Sequence, residues 1–417
     1  MRETARAGAT AEDAGAWSSI DWTHARREVR RLQVRIAKAV KEGRWGKVKV
    51  LRRMLTRSFH AKLLAVKRVT SNRGKRTPGV DGVLWQGAGA KWQAVNSLRK
   101  RGYKPQPLRR IYIPKKNGKK RPLSIPTMHD RAMQALHKLA LAPIAETTAD
   151  RNSYGFREGR SCADAVAAAF NALSKPNSAP WVLEADIKGC FDNISFDWML
   201  DNIPLDKEIL RKWLTAGYVE EYRLYPSRKG TPQGGIISPT LANMTLDGLE
   251  RAIHAAVPRR SRVNFVRYAD DFIVTGKSRR ILEELVRPTI EAFLGVRGLE
   301  LSSEKTKITH IRDGFTFLGQ TFRKTGDVLR VIPAKEGELA LIRKAGTIIR
   351  EHVSSPMPAL IKLLNGTLRG WGNYHRHVVA SGAFTRIDRY VKEQLWRMLR
   401  KRHRNKSRKW LFKRYWR

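Results

Sequence analysis

The chain offers almost no sulfur chemistry. Of its 417 residues only two are cysteines, Cys162 and Cys190, too far apart for a CxxC pair. Neither a disulfide framework nor a thiolate zinc site is supported. No apolar run is long enough to span a bilayer, which excludes a membrane-spanning helix. Residues 1–16 lack the apolar core of a secretory signal and a clear Arg-rich transit pattern, since Glu3, Glu12 and Asp13 intrude, and the segment 1–20 is expected to be disordered. The scarcest feature is negative charge: 37 Asp and Glu stand against 83 Lys and Arg, a formal net charge of +46. That excess implies a polyanionic partner, and the Trp, Tyr and Phe set among the cations favour nucleic acid over an anionic membrane. The chain reads as soluble, cytoplasmic and long enough for two to three domains.

Where acids are scarce, their placement is informative. In Asn264-Phe265-Val266-Arg267-Tyr268-Ala269-Asp270-Asp271-Phe272-Ile273-Val274, two apolar, β-prone runs flank an Ala-Asp-Asp tip, which predicts a hairpin presenting adjacent carboxylates. Their repulsion is offset best by a divalent ion held between oxygens, whereas an isolated Asp-Asp pair is ordinarily a solvated turn. A third carboxylate tips the balance. Leu183, Ala185 and Ile187 alternate with polar residues as on a half-buried strand, and Asp186 lies near its end. If that strand lies beside the hairpin, Asp186, Asp270 and Asp271 form a hard-oxygen site suited to two Mg²⁺ ions and in-line attack on phosphorus.

Tyr268-Ala269-Asp270-Asp271, preceded by Asp186-Ile187-Lys188-Gly189-Cys190-Phe191-Asp192 and by Thr231-Pro232-Gln233-Gly234-Gly235, resembles a reverse transcriptase. The resemblance is most specific to the group II intron-encoded proteins, also called maturases. It implies an α+β fold, a right-hand polymerase of fingers and palm with an antiparallel palm sheet over residues 76–333. A basic helical N-terminal extension over 21–75 would precede it, and a helical thumb/maturase domain with a basic tail over 334–417 would follow. It also implies an RNA-directed DNA polymerase that binds its parent group II intron RNA, assists splicing, and copies the intron into cDNA by target-primed reverse transcription during retrohoming. RNA template, DNA target or primer and dNTP are the implied partners, with the protein a monomer or dimer on RNA. Mg²⁺ is the implied cofactor, with Mn²⁺ able to substitute.

Further residues follow from both readings. Arg109 to Pro126 reads as two strands around an Asn-Gly turn whose crowded cations call for phosphates; the resemblance puts Lys115 and Arg121 on the incoming nucleotide. An aromatic ring at Phe191, below the nucleotide sugar, would clash with a 2′-hydroxyl and tolerate deoxyribose. Gln233, in a loop of one rigid Pro and two permissive glycines, is the side chain available to the nucleotide. The resemblance adds Lys305 beside the nucleotide and Phe317, Leu318 and Gly319 at the primer's 3′ end. Arg157 and Arg160 offer planar donors to template or nucleotide, although Ser161 also reads as a helix cap. Arg26, Arg30 and Arg31 cover the polar side of a helix predicted from Asp21 onward, where an RNA contact competes with simple solvation. Tyr374 and Arg376 fall in the family's thumb block, and Arg400, Lys401 and Arg402 belong to a basic, aromatic-studded C-terminal stretch suited to RNA. His375, His377 and His403 read as packing or RNA contacts. Many family members continue into a DNA-binding region and an HNH nuclease, whose ligands are absent here, so second-strand cleavage is not expected. The alternatives are an RNA-binding splicing cofactor with little polymerase activity and a CRISPR- or defence-associated reverse transcriptase. An RNA-templated RNA polymerase is disfavoured by Phe191.

Overall fold

A computed structural model describes residues 10–114, 118 and 120–416. The expectation of disorder over 1–20 is corrected for the first described element, while residues 1–9 lie outside the described residues. Ala11–Ser18 is a helix, started by a capping box in which the Thr10 hydroxyl accepts from the Asp13 amide and the Asp13 carboxylate accepts from the Thr10 amide. Two orphan donors are thereby satisfied without any apolar face of note. Gln93 Nε2 donates to Asp13 Oδ2 at 3.1 Å, and Trp17 meets Trp22 edge-on at 5.1 Å, so the helix is docked.

Asp21 caps the next helix, Trp22–Lys41, by accepting from the Thr23 and His24 amides. Its stripe of Ala25, Val29, Ile36 and Val40 is buried, while Arg26, Arg30 and Arg31 lie on the exposed side. Together with Trp45–Arg57 and Phe59–Thr70, this helix packs against the long apolar helix Met128–Thr148.

Three sheets follow. The first has the order β2-β1-β4-β5, built from β1 Leu108–Pro114, β2 Lys120–Ile125, β4 Tyr218–Glu220 and β5 Arg223–Tyr225. The second has the order β6-β7-β3-β8, built from β3 Trp181–Asp186, β6 Phe265–Tyr268, β7 Asp271–Gly276 and β8 Lys307–His310, antiparallel throughout. Its alternation feeds two cores. Leu183, Ala185, Phe265, Phe272 and Val274 join the large core, while Val182, Val266 and Ile273 meet Phe315, Phe317 and Phe322 on the other face. β3 is therefore covered on both faces rather than half-buried, because the third sheet closes the second face. That sheet comprises β9 Phe315–Phe317, β10 Gln320–Thr325 and β11 Val328–Pro333.

The remainder is helical: Lys335–Glu351, Met357–His375, Ser381–Arg402 and Arg408–Tyr415. These helices share a separate core of Leu341, Ile349, Leu360, Leu364, Ile387, Val391 and Leu399. Arg386 donates twice to the Glu338 carboxylate, each at 2.7 Å, tying the first helix to the third. The architecture is an α+β unit with an antiparallel central sheet and a helical C-terminal region.

Candidate active site

Strand pairing brings the acids together. β3 and β7 are in a register that sets Asp186 opposite Asp271, with Tyr268 beyond Asp271 on β6. Asp270 sits in the two-residue tip, where Ala269 has φ +59°, a left-handed conformation that a residue with a Cβ adopts at a cost. The surroundings hold it there. Ser153 bridges Arg267, Tyr154 N donates to Arg267 O at 2.8 Å, and Gly155 lies so close that a Cβ would run into the Ala269 amide nitrogen. Beneath the tip, the fully buried Arg267 guanidinium donates to Asp247 Oδ1 at 2.5 Å, Asn243 Oδ1 at 3.4 Å and Ala269 O at 3.4 Å.

Crowding shows in the proton affinities. Partial desolvation, then the charges of Asp270 and Asp186, push the Asp271 carboxyl up to about 7. Burial also raises Asp270, with Asp186 adding to the rise and Lys305 and Arg121 opposing it. Lys305 Nζ donates to Asp186 Oδ2 at 2.6 Å, a bond that raises the ammonium's own pKa. Among the described residues no group of three or more His, Cys, Asp or Glu is already arranged around a metal position. The donor set nevertheless fits a hard divalent ion: carboxylate oxygens from a register pair and its adjoining tip, held against their mutual repulsion, with an ammonium on one of them.

Around this edge, Phe191 lies in a short helix, Cys190–Asn193, whose backbone is pinned where Thr231 N donates to Phe191 O at 2.6 Å. Gln233 Nε2 donates to Asp192 Oδ2 at 2.8 Å, and Gln233 O accepts from Ser124 N at 2.7 Å, docking its loop on the end of β2. Gly234, at φ +121°, lets that backbone pass the Ser124 carbonyl. Arg121 is exposed at the start of β2, opposite Ile113. Lys115 lies outside the described residues.

Several expected nucleic-acid contacts are engaged internally instead. Arg157, its side chain 7% exposed, is held by Glu146 and by the carbonyls of Asp150 and Ser153. Arg160 donates to the carbonyls of Arg151 and Ser153. Phe317 is 4% exposed in the second core, so only Leu318 and Gly319, at φ +49° and +71°, present the β9–β10 turn outward. Tyr374 donates from its hydroxyl to Leu318 O at 2.8 Å, making it a tether between helix and turn. Arg402 donates to the carbonyls of Val353 and Ser355, just beyond the end of the helix Lys335–Glu351. Arg31 pairs with Glu28 at 3.1 Å while remaining exposed, and Arg26, Arg30, Arg376, Arg400 and Lys401 are exposed. His375 is buried against Gln320, and His403 meets the Tyr415 hydroxyl.

Sequence reasoning missed Arg267, Asp247 and Phe156. A lone Arg amid Phe265, Val266 and Tyr268 was the available sign that a buried carboxylate waits elsewhere.

Known proteins share long stretches of this chain. Residues 113–322 match the reverse transcriptase (RNA-dependent DNA polymerase) family, 17–98 the N-terminal domain of reverse transcriptase, and 340–416 the group II intron maturase-specific domain. Protein YkfC of Escherichia coli (strain K12) is 32% identical, over 60% of this chain and 76% of its own length. The group II intron-encoded protein LtrA of Lactococcus lactis subsp. cremoris is 29% identical, over 75% of this chain and 68% of its own. A solved telomerase from Candida albicans aligns over 71% of this chain and 59% of its own at 13% identity and a TM-score of 0.44, too distant to bear on the assignment.

Proposed function

The chain belongs to the group II intron-encoded reverse transcriptase and maturase family, and on that premise we propose that Asp186, Asp270 and Asp271 form the edge at which a primer is extended. It is an RNA-directed DNA polymerase with a maturase domain, and RNA is its partner. Reverse transcriptases use divalent metal ions. Here the three carboxylates would hold them, Mg²⁺ by preference with Mn²⁺ able to substitute, and the ions supply charge neutralisation at phosphorus and a more nucleophilic hydroxyl.

The reaction is attack of a primer 3′-hydroxyl on the α-phosphate of a dNTP. The new P–O bond forms as the bond to pyrophosphate breaks. Asp186 and Asp271 fix one side of the site through their register, and Asp270 closes it from the tip. Lys305, now on Asp186, is placed to exchange that carboxylate for a nucleotide phosphate. Arg121 meets the phosphates from β2, joined by Lys115, which lies outside the described residues, while Gln233 approaches the base pair from its docked loop. Phe191 bars a 2′-hydroxyl. The Leu318–Gly319 turn steadies the primer end, and the exposed Arg26, Arg30, Arg31, Arg376, Arg400 and Lys401 take RNA phosphates. The RNA is the parent group II intron, whose splicing the protein assists and which it copies at a DNA target during retrohoming.

The single observation that supports this most is the Asp186–Asp271 register with Asp270 in the adjoining tip. Primer extension on an RNA template with dNTPs and Mg²⁺ tests it, with Asp270→Ala as control and RNA binding followed in parallel. Extension that the control lacks, with RNA binding kept by both, is the expected result. Extension by neither protein would leave an RNA-binding splicing cofactor.

A further inference from the structure

Phe156 is conspicuous on three counts. It has φ +60°, a conformation that is costly for a residue with a side chain and that persists only where the surroundings enforce it. The residue is 52% exposed, so core packing does not explain the residue type. Its ring also stands edge-on to Phe191, centroids 6.2 Å apart and planes at 83°.

What enforces the strain is the active-site tip itself. Gly155 lies against Ala269, Asn243 Nδ2 donates to Gly155 O at 2.7 Å, and Tyr154 N donates to Arg267 O. The segment is thus fastened to the strand and turn that carry Asp270, and Phe156 is the next residue along. Phe191, in turn, has its backbone fixed by Thr231 N. Its ring leans on the large core and on Phe156. Phe156 also lines a cavity of about 360 Å³, shared with Lys138, Thr240, Asn243 and Asp247.

We propose that Phe156 is a positioning residue for sugar selection: its edge-on ring keeps Phe191 from turning away, so the two aromatics act as one barrier to a ribose 2′-hydroxyl. The assignment rests on the reading of Phe191 as the sugar barrier. It accounts for an exposed aromatic in a costly conformation, because a residue that turned the backbone more cheaply would leave Phe191 unsupported.

The test is competitive incorporation of dATP and ATP by the full chain on an RNA template, reading the ratio of kcat/KM values. Phe191→Ala is expected to lower the deoxy preference by about 100-fold, and Phe156→Ala by about tenfold, since a barrier that only leans loses part of its clash. Phe156→Tyr keeps the parental ratio. Phe156→Gly supplies the readout that a structural role would not move: glycine relieves the positive φ, so the melting temperature holds or rises while the deoxy preference falls. If Phe191→Ala relaxes selection and both Phe156→Ala and Phe156→Gly retain the parental ratio, the positioning role is overturned. If Phe191→Ala leaves the ratio unchanged, the barrier reading fails at its root.

Discussion

The β6–β7 and β1–β2 hairpins carry opposite charge and are built in opposite ways. The acidic one has both strands sunk in core, through Phe265, Val266, Phe272, Ile273 and Val274, and a strained Ala269 at its tip. The basic one exposes Ile111, Tyr112, Ile113 and Arg121, and is anchored at its base, where β1 pairs with β4 and Ser124 N reaches Gln233 O. The difference is physical. Carboxylates that must stay together against mutual repulsion need a backbone unable to relax, whereas cations meeting a mobile phosphate ligand are served by water until it arrives. The acidic hairpin therefore stores cost in the protein, and the basic one defers it to binding.

The comparison breaks first on activity. Asp270→Asn should lower primer extension by about 10³-fold or more, the scale of losing a group that stabilises transition-state charge. Arg121→Gln should instead raise the KM for dNTP by about tenfold with kcat less affected, as expected for one of several phosphate contacts. Steady-state extension with varied dNTP separates the two. An Asp270→Asn enzyme within tenfold of the parent would end the claim that the acidic tip carries the chemistry.

It breaks next on stability. Arg267→Met leaves Asp247 buried without its partner, and removing one member of a buried pair costs about 3–5 kcal/mol. Arg121→Gln, at an exposed position, should stay within about 0.5 kcal/mol of the parent. Urea denaturation midpoints at neutral pH provide the measurement, and equal shifts for the two variants would erase the distinction between the hairpins.

These two arginines also show where the sequence is legible. Apolar, β-prone runs on either side of Asp270 and Asp271 announce a hairpin, and the alternating strand ending at Asp186 is equally plain. That Asp186 lies opposite Asp271 is a long-range register, visible once the partners are chosen. Cations are the opaque class. Arg157, Arg267 and Arg402 look no different in sequence from Arg26 or Arg400, yet each of the first three is consumed by carboxylates or carbonyls, within a folded-back loop for Arg157 and 20 and 49 residues away for Arg267 and Arg402. Charge is written locally, but its partner is not. The burial of Phe317 is hidden for a related reason, since another sheet supplies the face that covers it. At the N-terminus the misreading was avoidable: Thr10 and Asp13 have capping-box spacing, and that local signal outranks a composition poor in apolar residues.

The long helix that follows the basic hairpin is open to a third test, by acid. Tyr103 donates to Asp130 and Trp213 donates to Tyr103, while the buried His137 ring packs edge-on against Trp213. Burial pushes the His137 imidazole down to about 4. A depressed pKa means that the neutral ring's contribution is whole above the unfolded value of about 6.5 and is lost as pH falls toward the folded one. Over that window the parent should lose about 3 kcal/mol that His137→Leu does not, since each tenfold change in proton affinity is worth about 1.4 kcal/mol. Denaturation midpoints from pH 7 to pH 4 give the comparison, and parallel slopes would remove His137 as the sensor.

The smallest effect is at Ala269. Replacing it with glycine releases a left-handed conformation worth about 1 kcal/mol, and removes a buried methyl worth about 0.8 kcal/mol. The two nearly cancel, so Ala269→Gly should leave stability within about 0.5 kcal/mol of the parent after the unfolded chain's added freedom is counted. Activity is where the substitution should register. Glycine widens the conformations open to the tip, so Asp270 spends less time beside Asp186 and Asp271, and kcat should fall severalfold while the KM for dNTP holds. If kcat is unchanged, the backbone lock is not what keeps the carboxylates together, and the buried strands alone must account for it.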